Sequence, residues 1–406
     1  MSSIQSINDS QISHIHIGAG SFGLGMVVDI CHREASFRTA VITKSSDKQH
    51  QRVLRENGGY SIIYDDDRNS ATMLAPLIRV YDDEHDSHIL DLLVKPSVVL
   101  ITTSVRKENL DAVARLLAQA FERRSTAKAG EHVCVIACEN LPQNSAELEK
   151  LVNKLLSPAA RSYTRTRIFF CNTLVDRVCA KLCCRSGLVE VPVERFYQWV
   201  IQKPKSELSA IRRLEERKLI MIAETEIEFS AYEVQKYWCM NGLHLAAAAY
   251  LYNYRPEMEI LADTFEISVL SKKLRALERE LGAAFAQYTT RFGLQRRFSG
   301  ELIRRYGDSV VERLRRNRTD KVGRILKQEK TPEESAKQVL DRIERLIAPH
   351  CEIMARHKGL IEPRADLIAA HEESKPIPRL QLDDAILQVV LAMRRYHREY
   401  AGLPQD

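Results

Sequence analysis

The chain has 406 residues, 45% of them hydrophobic and 28% charged, with a net charge of +6. That length and balance describe a globular chain with room for two cores, and a charge this mild does not call for nucleic acid. No apolar run approaches the ~20 residues that span a bilayer, and the polar opening MSSIQSINDSQ is no signal peptide, so a cytoplasmic protein without a membrane partner is expected.

The nine cysteines form no CxxC pair, and their odd number argues against a complete disulfide framework. Cys179, Cys183 and Cys184 lie close together without an accompanying cluster of histidines or carboxylates, which favours reduced thiols over a metal site. No internal repeat or low-complexity tract is present.

Residues 12–17 alternate apolar and polar side chains and run into Gly18-Ala19-Gly20-Ser21-Phe22-Gly23, after which residues 26–30 are apolar apart from Asp29. The glycines therefore sit between an expected strand and an expected helix, the setting in which GxGxxG has a mechanism. Gly18 permits a tight turn, Gly20 lets a pyrophosphate approach the backbone, and Gly23 allows close packing of helix on strand. The phosphates would rest on the unpaired N–H groups of the helix start.

A second strand is expected at residues 38–43. A site for NAD usually has an acid at that strand's tip to bond the ribose hydroxyls. Here the tip reads Thr43-Lys44-Ser45-Ser46, with Asp47 afterwards. Lys44 and Ser45 suit the 2′-phosphate of NADP, whereas Asp47 suits a ribose, so both cofactors stay open.

Residues 97–103 form a mostly apolar run, as a strand covered on both faces should, and a helix is expected at 108–121. Residues 132–137 and 167–170 are two more strands. Alternating strands and helices imply a mainly parallel sheet, on which ligands bind beyond the carboxyl ends of the strands. Thr103, Glu139, Asn140 and Asn172 stand at those ends. Both asparagines also suit turns and helix caps.

From about residue 203 the character changes. Residues 206–223, 230–254, 257–280, 301–327, 332–357 and 382–400 are charged and helical in period. The fold expected is α/β: a doubly wound Rossmann-type sheet in residues 1–203, then a mostly helical domain in 204–406. The basic stretch 304–330 reads as a solvated helix face, with phosphate binding as the next reading.

Within this half, residues 230–250 read SAYEVQKYWCMNGLHLAAAAY. Ser230 and Glu233 form a capping-box pattern that would start the helix at Ser230. At about 100° per residue, Glu233, Lys236, Asn241 and His244 fall within a sector of roughly 140°. A carboxylate, an amine, an amide and an imidazole thus share one face among apolar neighbours. Taken singly, each suits an ordinary solvated or structural role, and Glu233 suits the capping box.

These pieces together resemble the mannitol dehydrogenase superfamily, the long-chain polyol-specific dehydrogenases. The resemblance rests on GAGSFG at 18–23, CEN at 138–140, NTLVDR at 172–177, FYQWVI at 196–201 and KYWCMNGLH at 236–244. LITTSV at 100–105 and VIACEN at 135–140 are most similar to the mannitol-1-phosphate 5-dehydrogenase branch. It implies a metal-independent transfer of hydride between NAD or NADP and a small polyol or polyol phosphate, by a monomer or homodimer. Lys236 would be the general base, Asn172 and Asn241 donors to the developing alkoxide, His244 a positioner of hydroxyls, and Glu233 a proton relay. A base lysine must be neutral, whereas an ordinary lysine is protonated at pH 7. A uronate reductase of the tagaturonate or fructuronate type and a non-catalytic NAD(P)-binding sensor are the rival readings.

Overall fold

The computed structural model describes residues 11–44, 49–64, 67–81, 86–318 and 320–326. Ser45, Asp47 and the expected helices at 332–357 and 382–400 lie outside them, as does the side chain of Lys44. The chain divides into two compact units, Met1–Phe229 and Ser230–Asp406.

The first unit begins with β1 (His14–Ile17), followed by the glycine turn and helix α1 (Gly23–Glu34), then β2 (Thr39–Lys44). Next come a hairpin of β3 (Tyr60–Tyr64) and β4 (Asp67–Leu74), then β5 (Leu77–Tyr81), β6 (Leu100–Thr103), β7 (Val133–Ala137) and β8 (Ile168–Phe170). Six of these strands make one parallel sheet in the order β5-β2-β1-β6-β7-β8. β1 lies inside it, so the turn that follows β1 opens at the carboxyl edge, where the strand order reverses.

Alternate residues of β6 and β7 feed two cores. Ile101, Val133, Val135 and Ala137 join one apolar cluster, and Leu100, Cys134 and Ile136 join the other. This is the two-sided burial that the continuous apolar runs required. β1 differs in one respect. Its polar residues, His14 and His16, are fully buried rather than facing water, because Thr39, Thr102 and Ser104 satisfy their ring nitrogens.

Eight strands among the described residues escaped the reading of the sequence: β5 of the large sheet and seven others. β9 (Thr173–Asp176), β10 (Cys183–Arg185), β11 (Leu188–Val193), β12 (Gln198–Gln202) and β13 (Met221–Ala223) join β3 and β4 in two smaller sheets, β10-β11-β3-β4 and β13-β12-β9. Residues 221–223 were expected to be helical. They pair with β12 instead.

The first unit also extends past the expected boundary at 203/204. Helix α2 (Ser209–Glu216) places Leu208, Ala210, Ile211 and Leu214 in the same cluster as Met26, Ile30 and Phe37. Arg213 donates from Nε to Ala35 O at 2.8 Å and from Nη2 to Ser36 O at 2.7 Å. The amphipathic period of α2 was legible, but its apolar face packs on the sheet domain.

Helix α3 (Glu226–Gln235) starts earlier than expected. The Glu228 N–H donates to Thr225 Oγ1 at 3.1 Å, and Glu228 Oε2 accepts from Glu224 N–H at 3.1 Å. The cap is therefore at Thr225, in the same S/T-x-x-E spacing displaced by five residues, and Ser230 lies inside the helix. Glu233 holds no capping role.

In the second unit α3 continues through Lys236–Gly242 into α4 (Leu243–Tyr254). Ala246, Ala247, Ala248 and Ala249 of α4 are buried. α5 (Ser268–Arg291) packs against α4. The expected helices at 257–280 and 301–327 are observed as Leu261–Phe265 with α5, and as α6 (Gly300–Arg316) with the short α7 (Val322–Ile325). No helix among the described residues is long and apolar enough to cross a membrane.

Thr225→Ala is expected to lower stability by about 1 kcal/mol, and Ser230→Ala to change it by less than about 0.5 kcal/mol, in urea unfolding. The reverse ranking would return the cap to Ser230.

Candidate active site

In the first unit the carboxyl edge of the large sheet gathers the expected cofactor residues. Gly18 adopts φ +119°, in the region that favours glycine, and its N–H donates to Ile42 O at 2.8 Å. A Cβ at Gly18 would lie 2.7 Å from Ser104 O, and one at Gly23 would collide with Ser104 Oγ and His16 Nε2. A Cβ at Gly20 would meet nothing within 4 Å. The outer two glycines are thus required by the protein itself, while the middle one faces open space at the helix start. That is the space a pyrophosphate would take, so the turn fits a dinucleotide.

α1 is wound with i→i+5 bonds, its end closed by Ala35 N–H to Ile30 O at 2.8 Å. Ala19 is buried, Phe22 packs against the core beneath α1, and Ser21 Oγ accepts from Leu182 N–H at 3.2 Å. Across the edge, the Glu139 carboxylate accepts from the Thr103 hydroxyl at 2.7 and 3.0 Å and from Val105 N–H at 2.9 Å. Burial pushes its carboxyl above the ordinary value, and those bonds offset this only in part. Glu139 therefore straps the end of β6 to that of β7. Asn140 beside it is exposed.

Asn172 belongs to this unit too. Its Oδ1 accepts from Ala146 N–H at 3.0 Å and its Nδ2 donates to Gln202 Oε1 at 2.9 Å. It serves the start of the helix Asn144–Leu155, and the Gln202 bond takes one of its two amide donors. Lys203, next to Gln202, is paired with Glu224 at the surface.

The second unit carries the other set. Between Lys236 and Gly242 the helix widens to π winding, a distortion that recurs at functional sites. The half-open positions run Glu233, Val234, Tyr237, Asn241 and His244, a single stripe along the helix. Lys236, between the buried Gln235 and the half-open Tyr237, is 8% exposed and so more buried than the residues of that stripe. Three of the four polar groups thus share an open face, with the amine withdrawn beside them.

Burial raises the Glu233 carboxyl to about 7, the positive charge of Lys236 pulling the other way and losing. His244 Nε2 lies 2.7 Å from Asp320 Oδ2. Burial alone would raise the Asp320 carboxyl. The hydrogen bond and charge of His244, with the charge and hydrogen bonds of Arg324, outweigh it and hold it at about 2.

Asp320 is fixed by its backbone, since Leu261 N–H donates to Asp320 O at 2.9 Å and Ile260 bridges Lys321. Neither Asp320 nor Ser104 was singled out from the sequence. Asp320 is hidden in the basic run RLRRNRTDK, and Ser104 follows its strand without a motif. Among the described residues no group of three or more His, Cys, Asp or Glu is placed to hold a metal ion.

Residues 12–213 match the family model described as the mannitol dehydrogenase Rossmann domain. The chain belongs to the mannitol dehydrogenase superfamily.

Within that superfamily it is 25% identical over 273 residues to mannitol-1-phosphate 5-dehydrogenase of Geobacillus thermodenitrificans (strain NG80-2), covering 67% of each chain. It is 29% identical over 188 residues to the protein of that name from Streptococcus pneumoniae (strain Hungary19A-6), covering 46% of this chain and 48% of the other. The chain therefore spans two thirds of the first relative and about half of the second. Pseudomonas fluorescens mannitol 2-dehydrogenase, solved as a ternary complex with NAD and D-mannitol, superposes with a TM-score of 0.60 at 16% identity, over 98% of this chain and 94% of its own. That likeness is one of fold.

The raised Glu233 carboxyl sets a pH dependence of stability. A carboxyl whose folded value (about 7) exceeds its ordinary 4.5 contributes stability below 4.5 that is lost as pH rises through 7. Glu233→Gln should therefore raise the melting temperature more at pH 8 than at pH 5, by thermal unfolding in matched buffers. An equal shift at both would place the titration elsewhere.

Proposed function

We propose that this superfamily member is a polyol or polyol-phosphate dehydrogenase that oxidises a secondary alcohol to a ketone with NAD or NADP. The observation that carries this reading is the buried Lys236 amine beside a carboxyl at about 7, on a helix whose open stripe also bears Asn241 and His244. The names of the relatives support a polyol phosphate as the substrate class.

In this reading the first unit binds the dinucleotide, with Gly18, Ala19, Gly20, Ser21, Phe22 and Gly23 at its phosphates and Thr103, Glu139 and Asn140 along the strand ends. Lys44 and Ser45, by their position in the sequence at the end of β2, would distinguish a 2′-phosphate from a ribose. A bound nicotinamide supplies the hydride acceptor for oxidation and the donor for reduction.

The remaining steps fall to side chains. Neutral Lys236 takes the hydroxyl proton as the carbinol C–H bond breaks, and general-base catalysis of this kind contributes about 10²–10⁴-fold. Asn241 and Asn172 donate hydrogen bonds to the oxygen while it bears negative charge, a contribution of about 10²–10³-fold per donor. His244, held by Asp320, orients the neighbouring hydroxyls. Glu233 receives the proton from Lys236 and passes it to water, a task for which a value of about 7 suits it near neutrality.

The test is a screen of mannitol 1-phosphate, free polyols and uronates with NAD and NADP, followed at the reduced-cofactor absorbance band. Oxidation of the phosphorylated or free polyol is expected. Lys236→Ala should lower kcat at least about 100-fold while dinucleotide binding and the circular dichroism spectrum persist. Turnover of uronates alone would make the protein a uronate reductase. Tight dinucleotide binding with no turnover of any substrate would make it a sensor.

A further inference from the structure

Beneath the glycine turn runs a continuous hydrogen-bonded chain of five side chains. His14 Nδ1 lies 3.0 Å from Thr39 Oγ1, and His14 Nε2 lies 2.8 Å from Thr102 Oγ1. His16 Nδ1 lies 2.7 Å from the same Thr102 oxygen, and His16 Nε2 lies 2.8 Å from Ser104 Oγ. Thr39, His14, Thr102 and His16 are all 0% exposed, whereas Ser104 is half-buried. Ser104 is also the residue that crowds the turn. Its N–H donates to Ile17 O at 3.0 Å, its carbonyl excludes a Cβ at Gly18, and its hydroxyl excludes one at Gly23. The chain therefore starts in the core and ends where the turn opens.

Burial keeps both imidazoles neutral, that of His16 being lowered to about 3 and that of His14 well below its ordinary value. A neutral imidazole has one donor and one acceptor, and a hydroxyl has one hydrogen to give. Two orderings of the five hydrogens satisfy every contact and also give the buried Thr102 hydrogen an acceptor within the chain. A third, in which Thr102 accepts from both rings, leaves that hydrogen without one. In the inward ordering, Ser104 donates to His16 Nε2, His16 Nδ1 to Thr102, Thr102 to His14 Nε2, and His14 Nδ1 to Thr39. The Thr39 hydroxyl ends that run on Phe37 O, at a long 3.4 Å. In the outward ordering every bond among the five side chains reverses, and Thr39 donates to His14 Nδ1 instead of Phe37 O. His16 carries its hydrogen on Nε2 and donates to Ser104, whose own hydroxyl hydrogen is then left to point into the turn. The same five hydrogens are present in both, and the tautomers re-equilibrate through exchange with water. An anion at the turn meets lone pairs in the first ordering and a donor in the second.

We propose that Ser104 is a cofactor-contacting residue whose hydroxyl donates to a phosphate of the bound dinucleotide, and that His16, Thr102, His14 and Thr39 are positioning residues whose hydrogen-bond chain turns outward to supply that donor. This rests on the reading of the glycine turn as a dinucleotide site. It assigns the pair of buried histidines a role that packing alone would not require, since apolar residues would fill β1 equally well.

The experiment uses the full-length protein with ¹⁵N-labelled histidines and ADP-ribose as the probe, the His16 ring assigned by through-bond correlation. Saturation should move the His16 hydrogen from Nδ1 to Nε2. Ser104→Ala should bind ADP-ribose on the order of ten-fold more weakly, with a native circular dichroism spectrum and a His16 tautomer that no longer responds. A His16 tautomer identical with and without ADP-ribose, or wild-type affinity in Ser104→Ala, overturns the proposal while leaving the dinucleotide site standing. Failure of the wild-type protein to bind ADP-ribose, NAD or NADP would overturn both.

Discussion

A protein that buries an amine and a carboxyl side by side must settle which of them is charged, and the rest of the proposed chemistry depends on that choice at Lys236 and Glu233. Removing charge from water is costly, so burial drives each group toward its neutral form, while their mutual attraction drives both toward the ionised pair. At Glu233 burial prevails, and the carboxyl titrates about where the cell is buffered. A carboxyl so placed can accept a proton and release it again with little driving force either way. An ordinary surface glutamate lacks that property.

Local architecture holds the two groups in this state. The helix is capped at Thr225, well before Glu233, so the carboxyl is not drawn into satisfying backbone donors. π winding from Lys236 to Gly242 takes in the buried amine, and Asn241 and His244 beyond it reach the half-open stripe. Asp320, itself buried and tied by backbone bonds, fixes His244 from a segment 76 residues away. In the first unit a similar economy applies at the glycine turn. Ser104 and His16 press so close that two of the three glycines admit no side chain, and the third is left facing open space.

What could be read from the sequence was what local spacing determines. The turn at Gly18–Gly23, the buried runs of β6 and β7, the short β8, and the cluster of polar residues on the site helix each announce themselves within a few residues. Features that depend on distant partners did not. β11 pairs with β3 across more than a hundred residues, as Val189 with Tyr60, and neither strand shows the long apolar run of the main sheet. The apolar face of α2 was visible, but nothing local says that it belongs against Met26 and Phe37 rather than among the later helices. Two capping boxes with the same spacing, at Thr225 and Ser230, cannot be ranked without knowing where the preceding strand ends. The angular sum at about 100° per residue put Glu233, Lys236, Asn241 and His244 in one sector. Glu233, Asn241 and His244 are half-buried and Lys236 is buried, a difference that residue spacing does not carry.

Chemical rescue of Lys236→Ala tests the central claim most directly, with polyol oxidation measured against a series of primary alkylamines of graded basicity. If the amine at this position removes the substrate proton, the lost rate returns in proportion to free amine and rises with its basicity. A Lys236→Ala protein that turns over near the wild-type rate would contradict the account. So would one that binds substrate and cofactor normally yet ignores every amine.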